Sequence, residues 1–264
     1  MSLFCKTLLI FIIFMFNPTS FAFEVEQETN AAQPSQAQQI KQLQAQVQQL
    51  AKKIVILNKN QQSIAKKIGL GAPPKQPSIA IGESASIGNQ DAKIVLVEFT
   101  DLHCPFCKKF HDTVFPELKK QFIDTGELRF VGKHFPLVQL HKNAAVAAFA
   151  LECAREDDNY EQAKNWLFKQ GKNFSKNNLN DFTQAMGLDN NKFTACVESP
   201  ITAAQINSDI QTARTIGIHQ TPSFAIGVEQ SGKVVNWKII TGAQSVENFG
   251  IAIDEISKQI SSKD

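Results

Sequence analysis

The chain has 264 residues, 43% of them hydrophobic, and its 27 Lys and Arg against 25 Asp and Glu leave a net charge of +2. That length and apolar content supply one large domain, or a domain with an appendage, around a sizeable core. The near-neutral balance offers no electrostatic footprint for nucleic acid, which is not expected as a partner.

Residues 1–22 combine Lys6, an apolar stretch from Thr7 to Phe16, a break at Asn17-Pro18, and small Ser20 and Ala22 at cleavage-site spacing. This pattern predicts a secretory signal peptide. An uncleaved anchor is the second reading, weakened because the apolar core is shorter than the roughly 20 residues that span a bilayer. Cys5 precedes the apolar core, so it does not read as a lipid attachment site. Export would place the other four cysteines in an oxidising compartment.

Residues 23–77 form a second kind of sequence. A Gln-, Glu- and Ala-rich lead over 24–39 has too little apolar content to pack and is expected to be disordered. Ile40, Leu43, Val47, Leu50, Ile54, Leu57, Gln61, Ile64 and Ile68 then recur at alternating spacings of three and four, predicting a helix over about 40–68 with a heptad seam. One helix alone would leave that stripe in water, so it meets a second copy or the main domain. Ile and Val at a positions with Leu at most d positions favour a parallel homodimer, and Gln61 can set its register. A trimer and packing back onto the same chain stay open. Lys52, Lys53, Lys66 and Lys67 flank the seam as its solvated face. Gly69 to Pro77 ends the helix and makes a semi-rigid linker.

Residues 78–264 read as a mixed α/β unit. A strand at about 93–100, a helix at 104–122 and a strand at 127–134 make a βαβ start, hence two parallel strands. A helical stretch follows over about 139–216, with helices at Ala144 to Ala154, Tyr160 to Gln170 and Asn178 to Met186. Strands at 223–228 and 234–241 meet at Ser231-Gly232, and an amphipathic helix from Val246 to Ile260 closes the chain.

Cys104-Pro105-Phe106-Cys107 stands where the first strand gives way to a helix. A sulfur at a helix N-terminus faces unpaired N–H groups and the positive end of the dipole, which favour the reactive thiolate. The spacing predicts an exposed first sulfur and a shielded second one. Pro105 falls in the first turn, where a helix tolerates proline. Paired thiolates also bind zinc or copper, yet there is no second C-x-x-C or H-x-x-x-H, and no metal is expected. His111, His134, His141 and His219 read as packing or capping residues.

Val97 to Cys107 resembles the active-site segment of the DsbA-like thioredoxin superfamily, and Gly217-Ile218-His219-Gln220-Thr221-Pro222-Ser223-Phe224 resembles that family's cis-proline loop. Phe135-Pro136-Leu137, His141 to Ala154, and Gly242-Ala243 extend the match over roughly 79–262. The resemblance implies a thioredoxin fold with a helical-domain insertion, here preceded by a coiled-coil-type helix. It implies that Cys104 is the nucleophile and Cys107 the resolving thiol, with no cofactor beyond their own redox-active disulfide. Thr221 and Pro222 should lie against Cys104. Glu98 matches a family acidic residue near the resolving cysteine and is a candidate proton relay, with a salt-bridged structural glutamate as the alternative. His103 is a further candidate for supporting the thiolate. Strongly oxidising relatives commonly carry His where Phe106 stands, so a milder oxidant is expected. Cys153 and Cys196, two cysteines left over in one subdomain of an exported chain, are expected to form a structural disulfide, as similar pairs do in some relatives, with free buried thiols as the alternative.

The implied function is a periplasmic enzyme that forms or isomerises disulfide bonds in unfolded or misfolded exported proteins, recharged by a membrane redox partner of DsbB or DsbD type, with membrane association left open. Isomerases of DsbC type and the stalked ScsC proteins also carry an oligomerising module, which tilts the expectation toward isomerisation. A non-catalytic holdase-type chaperone or surface protein on the same fold is the alternative from another class.

Overall fold

The computed structural model describes residues 36–67, 76–155 and 159–262. The expected signal peptide, most of the low-complexity lead and most of the Gly/Pro linker lie outside the described residues. The chain divides between Pro73 and Pro74 into two units.

The first unit contains one helix of 32 residues, Gln36–Lys67, beginning somewhat before the expected boundary. Seam residues Ile40, Leu43, Val47, Leu50, Ile54, Leu57 and Ile64 are each more than half exposed. Val55 and Ile56 are equally exposed and lie off the seam. The apolar stripe is therefore wider at Ile54 to Leu57 than the heptad pattern alone indicates.

The second unit is built on a six-stranded sheet in the order β1-β6-β5-β3-β4-β2. The strands are β1 (Ile79–Ala80), β2 (Ala85–Ile87), β3 (Ile94–Thr100), β4 (Leu128–His134), β5 (Ser223–Gln230) and β6 (Lys233–Thr241). β3 and β4 run parallel, as the βαβ start predicts, and the other pairs are antiparallel. Sequence periodicity missed β1 and β2, because two or three residues are too few to show alternation. Every residue of β3 is buried, so its side chains serve both faces. Ile94 and Leu96 enter one core with Phe110, Leu118, Phe224 and Phe249, while Val95, Val97 and Phe99 enter another with Val131, Ala213 and Ala225. By that parity Glu98 points to the same face as Leu96, the face covered by the helical run that follows Cys104.

That run was expected as one α-helix. It is continuous over 105–123 but alternates between α segments Pro105–Lys109 and Phe115–Leu118 and π segments Phe110–Val114 and Lys119–Ile123. Phe115 N–H reaches back five residues to Phe110, and Pro116 has no N–H to continue the regular ladder. Phe110 still packs against Phe224 and Phe249, with ring centroids 4.6 and 5.6 Å away.

The helical insert comprises Ala144–Arg155, Tyr160–Gln170, Leu179–Met186, Asn190–Val197 and Pro200–Thr215. Its core is aromatic: Phe174 and Phe182 both meet Trp166 edge-on, and Phe182 meets Phe193. A disulfide joins Cys153 to Cys196 across 43 residues. Closing a loop of that length stabilises a fold by about 2–4 kcal/mol. At Gly227, beside the bulge between β5 and β6, an added Cβ would meet Val235 O at 2.7 Å and Trp237 Cβ at 2.8 Å, so a side chain has no room there.

Candidate functional site

Cys104 occupies the N-cap position of the 105–123 run, in extended backbone, with Pro105 following as the first helical residue. Its N–H donates to Asp101 O at 3.0 Å, and its carbonyl accepts from Lys108 N–H at 3.1 Å. Cys104 is only 6% exposed and Cys107 fully buried, so the first sulfur does not project outward as expected. It lies at the floor of a groove of about 510 Å³ whose lining includes Phe106, Leu137, Leu140, His141 and Thr221. Phe106, 62% exposed, and Pro105 form the lip. The Cys104 thiol donates to Thr221 O at 3.5 Å, and the Thr221–Pro222 peptide is cis. Two loops more than a hundred residues apart in sequence thus meet at one sulfur.

The two thiols differ sharply. A hydrogen bond from Cys107 Sγ outweighs the opposing effect of burial, and with smaller contributions from Thr221 and the N–H groups of Cys107 and Phe106 it lowers the Cys104 thiol to about 5. Phe106 contributes backbone only, so this depression is reached without an imidazole in the motif. Burial pushes Cys107 well above the ordinary thiol range, reinforced by its bond to Cys104 and by the Glu98 carboxylate. Cys104 is therefore a thiolate above about pH 5 while Cys107 keeps its proton. With the reduced protein, the rate of alkylation at Cys104 by iodoacetamide should rise with pH to a plateau with a midpoint near 5. A midpoint in the ordinary range of about 8.5 would contradict this geometry.

Glu98 is fully buried and pairs through Oε2 with Lys164 Nζ at 2.5 Å, while Oε1 has no hydrogen-bond partner among the described residues. Burial works against the charge on Lys164, but Glu98 prevails and holds the ammonium well above its ordinary value. Lys164 lies on the insert helix Tyr160–Gln170, with its Nζ 5.2 Å from the Phe130 ring centre and 5.4 Å from that of Tyr160. Gly132 on β4 makes room for this arrangement: a Cβ there would stand 2.0 Å from the Tyr160 hydroxyl. Glu98 is thus salt-bridged, as the alternative reading from sequence has it, and its charge acts on the resolving thiol Cys107.

Asp101 organises the loop before Cys104. Its buried carboxylate accepts from His103 N–H through Oδ1 and from Leu137 N–H and His141 Nδ1 through Oδ2, each at 2.8 Å. His103 is 5% exposed, its Nε2 has no partner among the described residues, and burial, with help from His141 and Lys172 and against Asp101, lowers its pKa, which disfavours a charged imidazole beside the thiolate. His141 precedes its helix, which starts at Ala144, and its tie to Asp101 replaces the capping role read from sequence. Sequence reasoning missed Lys164, Asp101 and His141. The signals that could have found two of them were Asp101-Leu102-His103, inside the matched active-site segment, and His141, at the head of the matched stretch His141 to Ala154. Among the described residues no group of three or more His, Cys, Asp or Glu is arranged to hold a metal ion.

A family model described as Thioredoxin matches residues 80–255. A candidate protein-disulfide oxidoreductase of Rickettsia conorii is 29% identical over 167 residues, covering 61% of this chain and 58% of the relative. The chain thus spans less than two thirds of that relative's length. The crystal structure of α-DsbA1 from Wolbachia pipientis matches with a TM-score of 0.60 at 23% identity, over 70% of this chain and 97% of that one. A linker-deletion mutant of Proteus mirabilis ScsC matches with a TM-score of 0.53 at 21% identity, over 87% of this chain and 99% of its own. These likenesses carry the fold, a thioredoxin fold with a helical insertion.

Proposed function

The chain belongs to the thioredoxin family, and from that premise we propose that it is a DsbA-like thiol–disulfide oxidoreductase acting on exported proteins. The observation that carries this reading is the asymmetry of the two thiols: Cys104 lowered to about 5 at the floor of an open groove, Cys107 buried and held protonated beneath it. In the oxidising direction a substrate thiolate attacks Cys104 Sγ of the Cys104–Cys107 disulfide. The S–S bond breaks, and Cys107 leaves with the electron pair and takes a proton. A second substrate thiolate then attacks the mixed disulfide, and Cys104 departs as the better leaving group because its thiolate is the stabilised one. Glu98, whose Oε1 is unengaged, is the group that exchanges the proton with Cys107.

In the same reading residues 1–22 are a signal for export to the periplasm, residues 23–77 an oligomerising lead, and residues 78–264 the catalytic unit. The exposed stripe of Gln36–Lys67 pairs with that of a second copy. Two sites held by one stalk engage a misfolded substrate at high effective concentration, which favours isomerisation beside oxidation. Clients are unfolded or misfolded exported proteins, and a membrane protein of DsbB or DsbD type resets the site. Among the described residues no helix is long and apolar enough to cross a membrane.

The mature chain, incubated with a reduced multi-disulfide substrate and separately with a scrambled copy, should bring both to the native pairing. Failure with both overturns the oxidoreductase reading, and failure with the scrambled substrate alone removes isomerisation. Sedimentation equilibrium of the same sample should report a dimer. A concentration-independent monomer mass would refute self-association.

A further inference from the structure

The site prepares its own sulfur for exchange, but it must also meet a sulfur that is not prepared. An ordinary substrate thiol titrates near about 8.5, so only a few per cent of it is thiolate at neutral pH. The C-x-x-C motif offers no base for it, since Phe106 stands between the cysteines. In the groove, the Lys172 side chain offers donors and no acceptor, and Gln220 and Thr221 are not bases. His103 is close to the loop but buried, and both oxygens of Asp101 are engaged.

One lining side chain remains. His141 Nδ1 lies 2.8 Å from Asp101 Oδ2, and a carboxylate can only accept there, so Nδ1 carries a hydrogen. This fixes the neutral tautomer with a bare Nε2, which has no hydrogen-bond partner among the described residues. The ring is 10% exposed and lines the same groove as Cys104. A buried carboxylate behind an imidazole orients the ring and fixes its tautomer.

Resting on the oxidoreductase reading above, we propose that His141 is a further catalytic residue, the general base that takes the proton of the incoming substrate thiol. The substrate S–H bond breaks and its proton moves to His141 Nε2. The substrate sulfur bonds to Cys104 Sγ as the Cys104–Cys107 bond breaks, its electron pair passing to Cys107. The imidazolium, held against Asp101, returns its proton to water at the groove mouth. The substrate is oxidised and the active-site disulfide reduced, so no further oxidant enters. In reverse, the imidazolium protonates the departing substrate thiolate.

The charged and titratable groups around this ring are Asp101 and His103 from the loop, Lys172 from the turn after Tyr160–Gln170, and Cys104 in the reduced state. The test compares oxidised wild type with H141N, whose amide can still donate to Asp101, in the oxidation of a single-cysteine peptide. At about pH 6.5 the variant should be slower by about 10- to 100-fold. At about pH 9, where the peptide is already thiolate, the two rates should converge. Alkylation of reduced Cys104 by iodoacetamide needs no base and should be equal in both. A second measurement needs no variant: wild type reacting with an aromatic thiol already ionised across the range should lose the pH dependence seen with the peptide.

Equal peptide rates at about pH 6.5 would overturn the assignment. A loss that persists unchanged at about pH 9, or an equal loss in alkylation, would reduce His141 to a structural tie. If wild type itself fails to oxidise the peptide, the oxidoreductase reading falls, an outcome distinct from either of these.

Discussion

Replacing Cys104 by Ser abolishes both oxidation of reduced substrates and rearrangement of scrambled ones. The expected loss is at least about a thousandfold, down to the uncatalysed background. A hydroxyl at this position has the same helix-start N–H groups around it, but it does not ionise in water and cannot form or accept a disulfide. Cys107→Ser behaves differently. Cys104 loses its largest stabilising contact, the bond from Cys107, so its thiol moves up from about 5. It still attacks a substrate disulfide, and with no resolving thiol beneath it the mixed disulfide persists. Non-reducing electrophoresis should show that adduct with Cys107→Ser and none with Cys104→Ser. Retained turnover in Cys104→Ser would end the enzyme reading altogether.

Lys164→Met is expected to cost about 3–5 kcal/mol of stability, read as a lower urea midpoint, because it strands a carboxylate in the core. The partners are 3% and 0% exposed, so neither solvent nor salt can compensate the remaining charge. Adding Glu98→Gln to Lys164→Met should recover most of the loss, since removing both charges removes the desolvation problem. A double variant no more stable than the single one would show that packing of the lysine stem, rather than the charge, holds the insert to the sheet. The sign with pH follows from Lys164 being held above its ordinary value. The contribution from the Lys164 charge is complete below the unfolded lysine value of about 10.4 and is lost as alkali rises from there through the folded one.

The parts of this molecule that read clearly from sequence are those whose signal is local. β3 announces itself as a short, mostly apolar and β-branched run interrupted only by Glu98, and the C-x-x-C beyond its end marks where the helix starts. The order of elements around the insert follows from alternating periods of two and 3.6. Lys164 was illegible for the opposite reason. In Tyr160–Gln170 it sits among Gln162, Asn165 and Lys169 and looks solvated; only the return of that helix over β4 buries it. Asp101 has the same character, since a loop aspartate gains meaning only when Leu137 and His141 arrive from beyond the second parallel strand. The first π segment ends just before Pro116, an exposed residue with no N–H to continue the regular ladder, and local propensity does not specify where the ladder widens. Near-burial of Cys104 likewise comes from Thr221, far along the chain.

The bridge between Cys153 and Cys196 has a consequence for biogenesis. Each new copy gives up two electrons when this bridge closes across its own insert. Under the export proposed above, making the protein would itself draw on the oxidising capacity of the compartment in which it matures. A copy whose bridge is still open would then be a substrate for the activity proposed for mature copies.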